Sequence, residues 1–342
     1  MKTAVYYNNK DIRIEERPVP RIADDEILMK IEACGVCGSD VMEWYRIKKA
    51  PLILGHEVSG VIEKAGKDVK KYKQGQRIAA AHHIPCNTCK YCLDGNYTVC
   101  DTLRSTNFDP GGFAEYVRLP ALNVDRGIFP LADNVSFDEG TFIEPLACVL
   151  RGQRRAKLSP GQSVLIIGGG ISGLLHLKLA RALGAGRIFV ADILENRLEA
   201  ARGFGADRAI NALEYTPEVL RENNDGFLAD CVIVCTSATR AFDNAFSSVE
   251  RGGTVLVFAP TEIGLKYPLS INDLFWKNDV TVTTTYAASP ADHITAHDLI
   301  RSGRVAVKDM ITDRLGLADT VKGFGLVSEG KRSIKVIIEP QK

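Results

Sequence analysis

Val164-Leu165-Ile166-Ile167-Gly168-Gly169-Gly170-Ile171-Ser172-Gly173 is the stretch that decides the fold. Four consecutive apolar residues read as a strand buried on both faces. They run straight into glycines spaced G-x-G-x-x-G, which open an apolar helical stretch reaching Leu183. In this strand-to-helix setting Gly168 makes the tight turn and Gly170 lets a pyrophosphate approach the backbone. Ile171 and Ser172 open the helix, and Gly173 lets helix and strand pack closely. Asp192, roughly twenty residues on, ends the next strand, where a carboxylate accepts hydrogen bonds from both ribose hydroxyls and repels a 2′-phosphate. This favours NAD over NADP. Asp192 as the cap of a helix beginning near Glu195, and Arg197 as an exposed helical residue instead of a cover for the adenine, stay open.

Around this motif, apolar strands alternate with helical stretches: Ser163 to Ile167, Arg187 to Ala191, Arg208 to Ile210, Cys231 to Cys235, Thr254 to Phe258 and Val280 to Thr285. Six such strands predict an α/β domain, a doubly wound parallel sheet, over residues 151–287. Residues 1–150 carry short alternating runs broken by Gly and Pro, among them Glu26 to Ala33, Val58 to Ile62 and Phe113 to Leu119, which read as an irregular β-rich domain. Residues 288–342, with a helical stretch at His293 to Ser302 and a strand-like run at Ser333 to Glu339, are expected to return to that first domain.

A chain of 342 residues suits two domains, and 45% hydrophobic with 25% charged residues is an ordinary globular balance. Forty-three basic against 42 acidic residues, with no long block of one sign, argue against a nucleic-acid or membrane partner and for a small molecule. The N-terminus lacks the apolar core of a secretory signal, and the expected location is the cytoplasm. Nine cysteines is an odd number, and four of them fall within residues 86–100, which suits a metal in a reducing compartment better than a disulfide framework.

Those four, Cys86-x2-Cys89-x2-Cys92-x7-Cys100, lie in a polar loop with few apolar residues, where tetrahedral thiolate ligation of a structural zinc would supply the missing folding energy. An iron-sulfur cluster or a switch of paired disulfides could use the same residues. A second constellation is dispersed: Cys37 and Ser39-Asp40 in GVCGSD, His56-Glu57 in GHE, and Glu144 in IEPL. One thiolate, one imidazole and one carboxylate leave a fourth zinc position open for an alcohol. Ser39 is placed to relay the proton outward, and Asp40 to orient an imidazole ligand. Cys148, four residues after Glu144, is a competing ligand, while Cys34, Cys231 and Cys235 sit in apolar strand contexts as inert thiols. Only eighteen residues separate Cys37 from His56, and among them Trp44 could wall a substrate pocket and Arg46 favour a carboxylate or phosphate; both also suit a solvated helix face.

Through GVCGSD, GHE, the four-cysteine lobe, GGFAEY at Gly111 to Tyr116, EPL and GGGISG, in that order, the chain resembles the zinc-containing medium-chain alcohol dehydrogenase family over essentially its whole length. EPL is similar to the sorbitol and threonine dehydrogenase branch. The resemblance implies Cys37, His56 and Glu144 around a catalytic zinc, with Glu57 either coordinating or holding the metal-bound water. It also implies a second, structural zinc, a GroES-like catalytic domain completed by the C-terminal segment, and a homotetramer or homodimer. The family's histidine segment near the C-terminus is replaced here by Ile311-Thr312-Asp313. The leading expectation is an NAD-linked dehydrogenase of a polyol, sugar alcohol or related secondary alcohol. An amino-alcohol (threonine-type) dehydrogenase, a primary alcohol/aldehyde reductase and a non-catalytic NAD-binding redox sensor are the alternatives.

Overall fold

In the computed structural model, which describes residues 1–342, the six apolar runs form one sheet from the strands Val164–Ile167, Ile188–Asp192, Arg208–Asn211, Ala229–Val234, Val249–Val257 and Thr281–Thr284. Every neighbouring pair is parallel, and in chain order the strands lie 3-2-1-4-5-6. The first strand is the switch point, paired through Val164 with both Ile188 and Cys231. Helices Ile171–Ala182, Glu195–Gly203 and Thr239–Ser248 pack on the sheet, and the inner strands Val164–Ile167 and Ile188–Asp192 are buried at every position, which is why their apolar runs do not alternate. Leu165, Phe189, Val232 and Val255 are fully buried there, each such side chain contributing about 1.5–3 kcal/mol. This sheet belongs to a unit spanning residues 148–286.

The other unit comprises residues 1–147 and 287–342. Its larger sheet runs in the order Ile311–Gly316, Lys335–Glu339, Ile27–Gly35, Glu57–Ala65, Arg77–Ala80 and Ile128–Pro130, with Tyr116–Leu119 also paired to Ile27–Gly35. The C-terminal strand pairs antiparallel with Ile27–Gly35 through Ile337 to Gly35 and Ile338 to Cys34. Helix Pro290–Arg301 begins at a capping box of Ser289 and Asp292, with Pro290 at its first turn. A hairpin of Lys2–Asn8 and Asp11–Glu16 makes a smaller sheet with Leu52–Ile53. Its second strand lies largely outside the core, so apolar patterning does not announce it. The expected GroES-like and Rossmann architectures are both present.

Candidate metal centres and cofactor loop

The ladder of the larger sheet brings distant residues together. Gly35 pairs with Glu57 across antiparallel strands and with Ile337 on the other side, so the turn after Gly35, the residue before Glu57 and the start of the last strand meet at one end. Cys37, His56 and Glu57 are the result: their ligand atoms lie within 4.8 Å of one another. Asp40 supports them from behind. Its Oδ2 accepts from the Cys37 N–H at 3.1 Å and its Oδ1 lies 3.4 Å from His56 Nδ1. The Ser39 N–H points at the Cys37 sulfur at 3.4 Å. Burial opposes charge on His56, yet Asp40 and Cys37 hold its pKa well above the ordinary histidine value. An environment that favours positive charge on this imidazole also draws a metal cation, so the donor set fits zinc.

Glu144, in the first turn of helix Ile143–Arg155, is outside this close set, although its charge acts on Lys335. Cys148 is the first residue of the other unit. Two residues that sequence reasoning did not assign to the site complete it. Lys335 is fully buried and pairs with the carboxylate of Glu57. Its pKa is opposed by burial but raised above the usual lysine value by Glu57 and Cys37. No local motif marks Lys335, because the pairing spans 278 positions. His82 packs its ring 4.7 Å from that of His56.

Arg46 does not present a free cation. Its Nε donates to the Ser39 carbonyl at 2.9 Å, its Nη2 to Ser39 Oγ at 3.0 Å, and the guanidinium stands 3.5 Å from Asp40. Burial raises the Asp40 pKa, but His56 and Arg46 outweigh it and keep the carboxyl below its usual range. Trp44, beside Tyr45, is exposed.

In the cysteine lobe all four sulfurs lie within 4.8 Å of one another. Separations of 3.6 Å for Cys89 to Cys92, 3.7 Å for Cys100 to Cys86 and 3.9 Å for Cys86 to Cys92 are too long for disulfides, and none of the nine cysteines is disulfide-bonded. They match the roughly 3.8 Å edge of a tetrahedron with metal-sulfur bonds near 2.3 Å. Hydrogen bonds from Thr88 and the Cys89 N–H bring the Cys86 thiol down to about 5, while burial pushes Cys92 up to about 12. Elsewhere burial raises the thiol of Cys34, that of Cys231 (to about 12) and that of Cys235.

At the cofactor loop Gly168 adopts φ +104°, a conformation that favours glycine, and a Cβ on Gly173 would fall 1.9 Å from the Gly168 carbonyl oxygen. Gly170 differs: the nearest atom to its Cβ position is 3.9 Å away, on Arg197, so protein packing does not require glycine there and the backbone is open to a phosphate. Asp192 Oδ2 accepts from the Gly169 N–H at 2.6 Å and lies 3.3 Å from Arg197 Nη1, while Oδ1 accepts from the Leu194 N–H at 2.9 Å. Asp192 does not cap the following helix, whose N-cap is Leu194.

Comparison with known proteins gives the family. Residues 23–127 match the alcohol dehydrogenase GroES-like domain and residues 172–302 the zinc-binding dehydrogenase domain. A probable D-xylulose reductase A of Neosartorya fischeri is 32% identical, over 96% of this chain and 93% of its own length. A sorbitol dehydrogenase of Bacillus subtilis is 32% identical, over 100% of this chain and 98% of its own. A solved putative zinc-binding dehydrogenase from Sinorhizobium meliloti, bound to NADP, superposes with a TM-score of 0.87 at 27% identity, covering 99% of each chain. With both domain types matched and full-length relatives of this kind, the chain belongs to the zinc-containing medium-chain dehydrogenases, in their sorbitol dehydrogenase-like branch.

Proposed function

We propose that this enzyme oxidises a secondary hydroxyl of a polyol to a ketone, with NAD as hydride acceptor, and catalyses the reverse reduction. The observation that carries this reading is the cluster of Cys37, His56 and Glu57, in which each neighbouring buried charge already has an opposite partner: Asp40 with Arg46, Glu57 with Lys335. A site with no spare cation suits a neutral substrate better than an acid or a phosphate ester. The names of the xylulose reductase and sorbitol dehydrogenase relatives point the same way and do not favour the amino-alcohol, primary-alcohol or sensor readings.

Cys37, His56 and a carboxylate, from Glu144 or Glu57, would hold the catalytic zinc; bound zinc supplies Lewis acidity and bound NAD the hydride acceptor. Asp40 at Nδ1 leaves His56 Nε2 as the ligating nitrogen. Arg46 engages one lone pair of Ser39 Oγ, so the hydroxyl can take the alcohol's proton on its other lone pair and pass its own proton outward. Lys335 holds the Glu57 side chain in place beside Cys37. Cys86, Cys89, Cys92 and Cys100 would hold the second, structural zinc. The unit of residues 1–147 and 287–342 thus carries the chemistry. In the unit of residues 148–286, Gly168, Gly170, Ile171, Ser172 and Gly173 would take the pyrophosphate at the helix N-terminus and Asp192 the adenosine ribose, with Arg197 beside it. A homotetramer or homodimer, assembled through the sheet edge at Thr281–Thr284 with exposed Val282, and a cytoplasmic location suited to nine cysteines without a disulfide complete the reading.

The test is reduction of NAD and NADP by the purified protein across polyols, hydroxy acids, sugar phosphates and amino alcohols, with zinc measured on the same sample. The expected result is turnover of polyols with NAD and about two zincs per chain. His56→Ala should abolish turnover and spare the fold, whereas Cys89→Ser should cost stability more than chemistry. Turnover confined to amino alcohols or acids sinks the substrate assignment.

A further inference from the structure

Beside the metal ligands stands a wall of imidazoles, and one of them has a buried nitrogen with nothing to bond. His82 follows strand Arg77–Ala80, and its ring centroid lies 4.7 Å from that of His56 and 3.8 Å from that of His83. Its Nδ1 is buried and has no hydrogen-bond partner in the protein. Its neighbour is tied down differently. His83 Nδ1 lies 3.1 Å from the Thr106 carbonyl, which can only accept, so this nitrogen carries a proton and the ring is anchored.

An unpaired buried polar atom is costly, and native proteins rarely keep one without a use. Were packing against His56 and Phe108 the whole role of His82, an apolar ring would serve better. His293, on helix Pro290–Arg301 and close enough to act electrostatically on His82, shows the same signature. Its Nδ1 gives a proton to the Ser289 carbonyl at 2.8 Å, which leaves Nε2 a buried lone pair with no donor. The orphaned Nδ1 of His82, on a ring packed against His56, calls for a ligand that can both donate and accept. A hydroxyl does both, so it suits either tautomer of His82. An anion does not fit as well, because Arg46 is already turned toward Ser39 and Asp40.

We propose that His82 is a specificity-determining residue: its Nδ1 bonds a hydroxyl of the polyol other than the one being oxidised, and so selects polyols over simple alcohols. This rests on the polyol reading above. A simple alcohol leaves Nδ1 buried and unpaired, which is worth roughly fivefold to a hundredfold in discrimination.

The experiment measures kcat/KM with NAD for xylitol and for cyclohexanol in the wild type, His82→Phe, His82→Leu and His82→Gln, with zinc content on each sample. Because His82 touches a metal ligand, the readout is the xylitol-to-cyclohexanol ratio, in which damage to the metal site cancels. His82→Phe removes the ring nitrogens and should lower the ratio fivefold or more; His82→Leu reads the same quantity if the phenyl ring is not accommodated. His82→Gln, which restores a donor and an acceptor, should recover at least half of that loss on a logarithmic scale. A ratio that falls less than fivefold in the apolar variants, or falls as far in the glutamine variant, overturns the proposal while leaving the polyol reading in place. A zinc-loaded wild type that oxidises no polyol overturns both.

Discussion

Lys335 and Glu57 form a buried ion pair that passes directly over Gly35. The glycine sits between them on the central strand, and a Cβ there would come within 2.7 Å of the lysine nitrogen. Both charges are out of water, so neither is stable without the other. Lys335→Met should therefore destabilise the protein by about 3–5 kcal/mol, because Glu57 is left charged and unpaired. Adding Glu57→Gln to that variant should recover most of the loss, although not the activity. Denaturant unfolding of the two single variants and the double variant checks this. Additive losses would show that the residues do not depend on each other.

This pair marks where sequence reading stops. The parallel sheet was legible because its inner strands, Val164–Ile167 and Ile188–Asp192, are buried on both faces and its glycines follow the first of them at a fixed spacing. Cys37, His56 and the four-cysteine lobe were legible because short motifs hold ligand types that zinc requires. Lys335 was invisible: a single lysine in an apolar run reads as a surface residue until the strand order places it beside Glu57. Arg46 was visible as a charge but not as a direction, since sequence cannot tell a side chain turned inward from one offered to a substrate.

Arg46 thus carries a revised expectation. Its guanidinium holds both the carbonyl and the hydroxyl of Ser39 and balances Asp40. Arg46→Ala should lower kcat by roughly tenfold or more, the worth of hydrogen bonds to a charged group. It should do so equally for neutral and acidic alcohols. The check is the rate ratio between a polyol and the matching sugar acid. A variant that lost preference for the acid alone would restore a direct contact between Arg46 and an anionic substrate.

Asp192 has a bracing contact and, in the NAD reading proposed above, a second and separable effect. Its carboxylate braces the glycine loop through the Gly169 N–H, and its charge would oppose a 2′-phosphate. Asp192→Asn keeps an acceptor for the loop and removes the charge, so the NADP-to-NAD ratio of kcat/KM should rise about tenfold, as expected for one lost unit of charge selectivity. Asp192→Ala should also weaken turnover with both cofactors, because the loop loses its brace. If Asp192→Asn left the ratio unchanged while Asp192→Ala still lost activity, the residue would be a brace alone.

His176 gives a prediction in pH. It lies in helix Ile171–Ala182, fully buried, with Gln153 Nε2 2.9 Å from its carbonyl and the Phe258 ring edge-on at 4.6 Å. Burial pushes its pKa down to about 3, whereas in the unfolded chain it titrates near 6.5. Between those values the unfolded state binds a proton that the folded state refuses, so acidification favours unfolding by up to about 1.4 kcal/mol per pH unit. The loss begins as pH falls through 6.5 and is complete near 3. His176→Met removes the titrating group and with it this part of the slope, whatever the variant's own stability at pH 7. Urea unfolding of both proteins at pH 7, 6 and 5 should show the wild type losing stability faster than the variant. Parallel losses would mean that the folded protein admits a proton at His176, and that Gln153 and Phe258 do not seal the site.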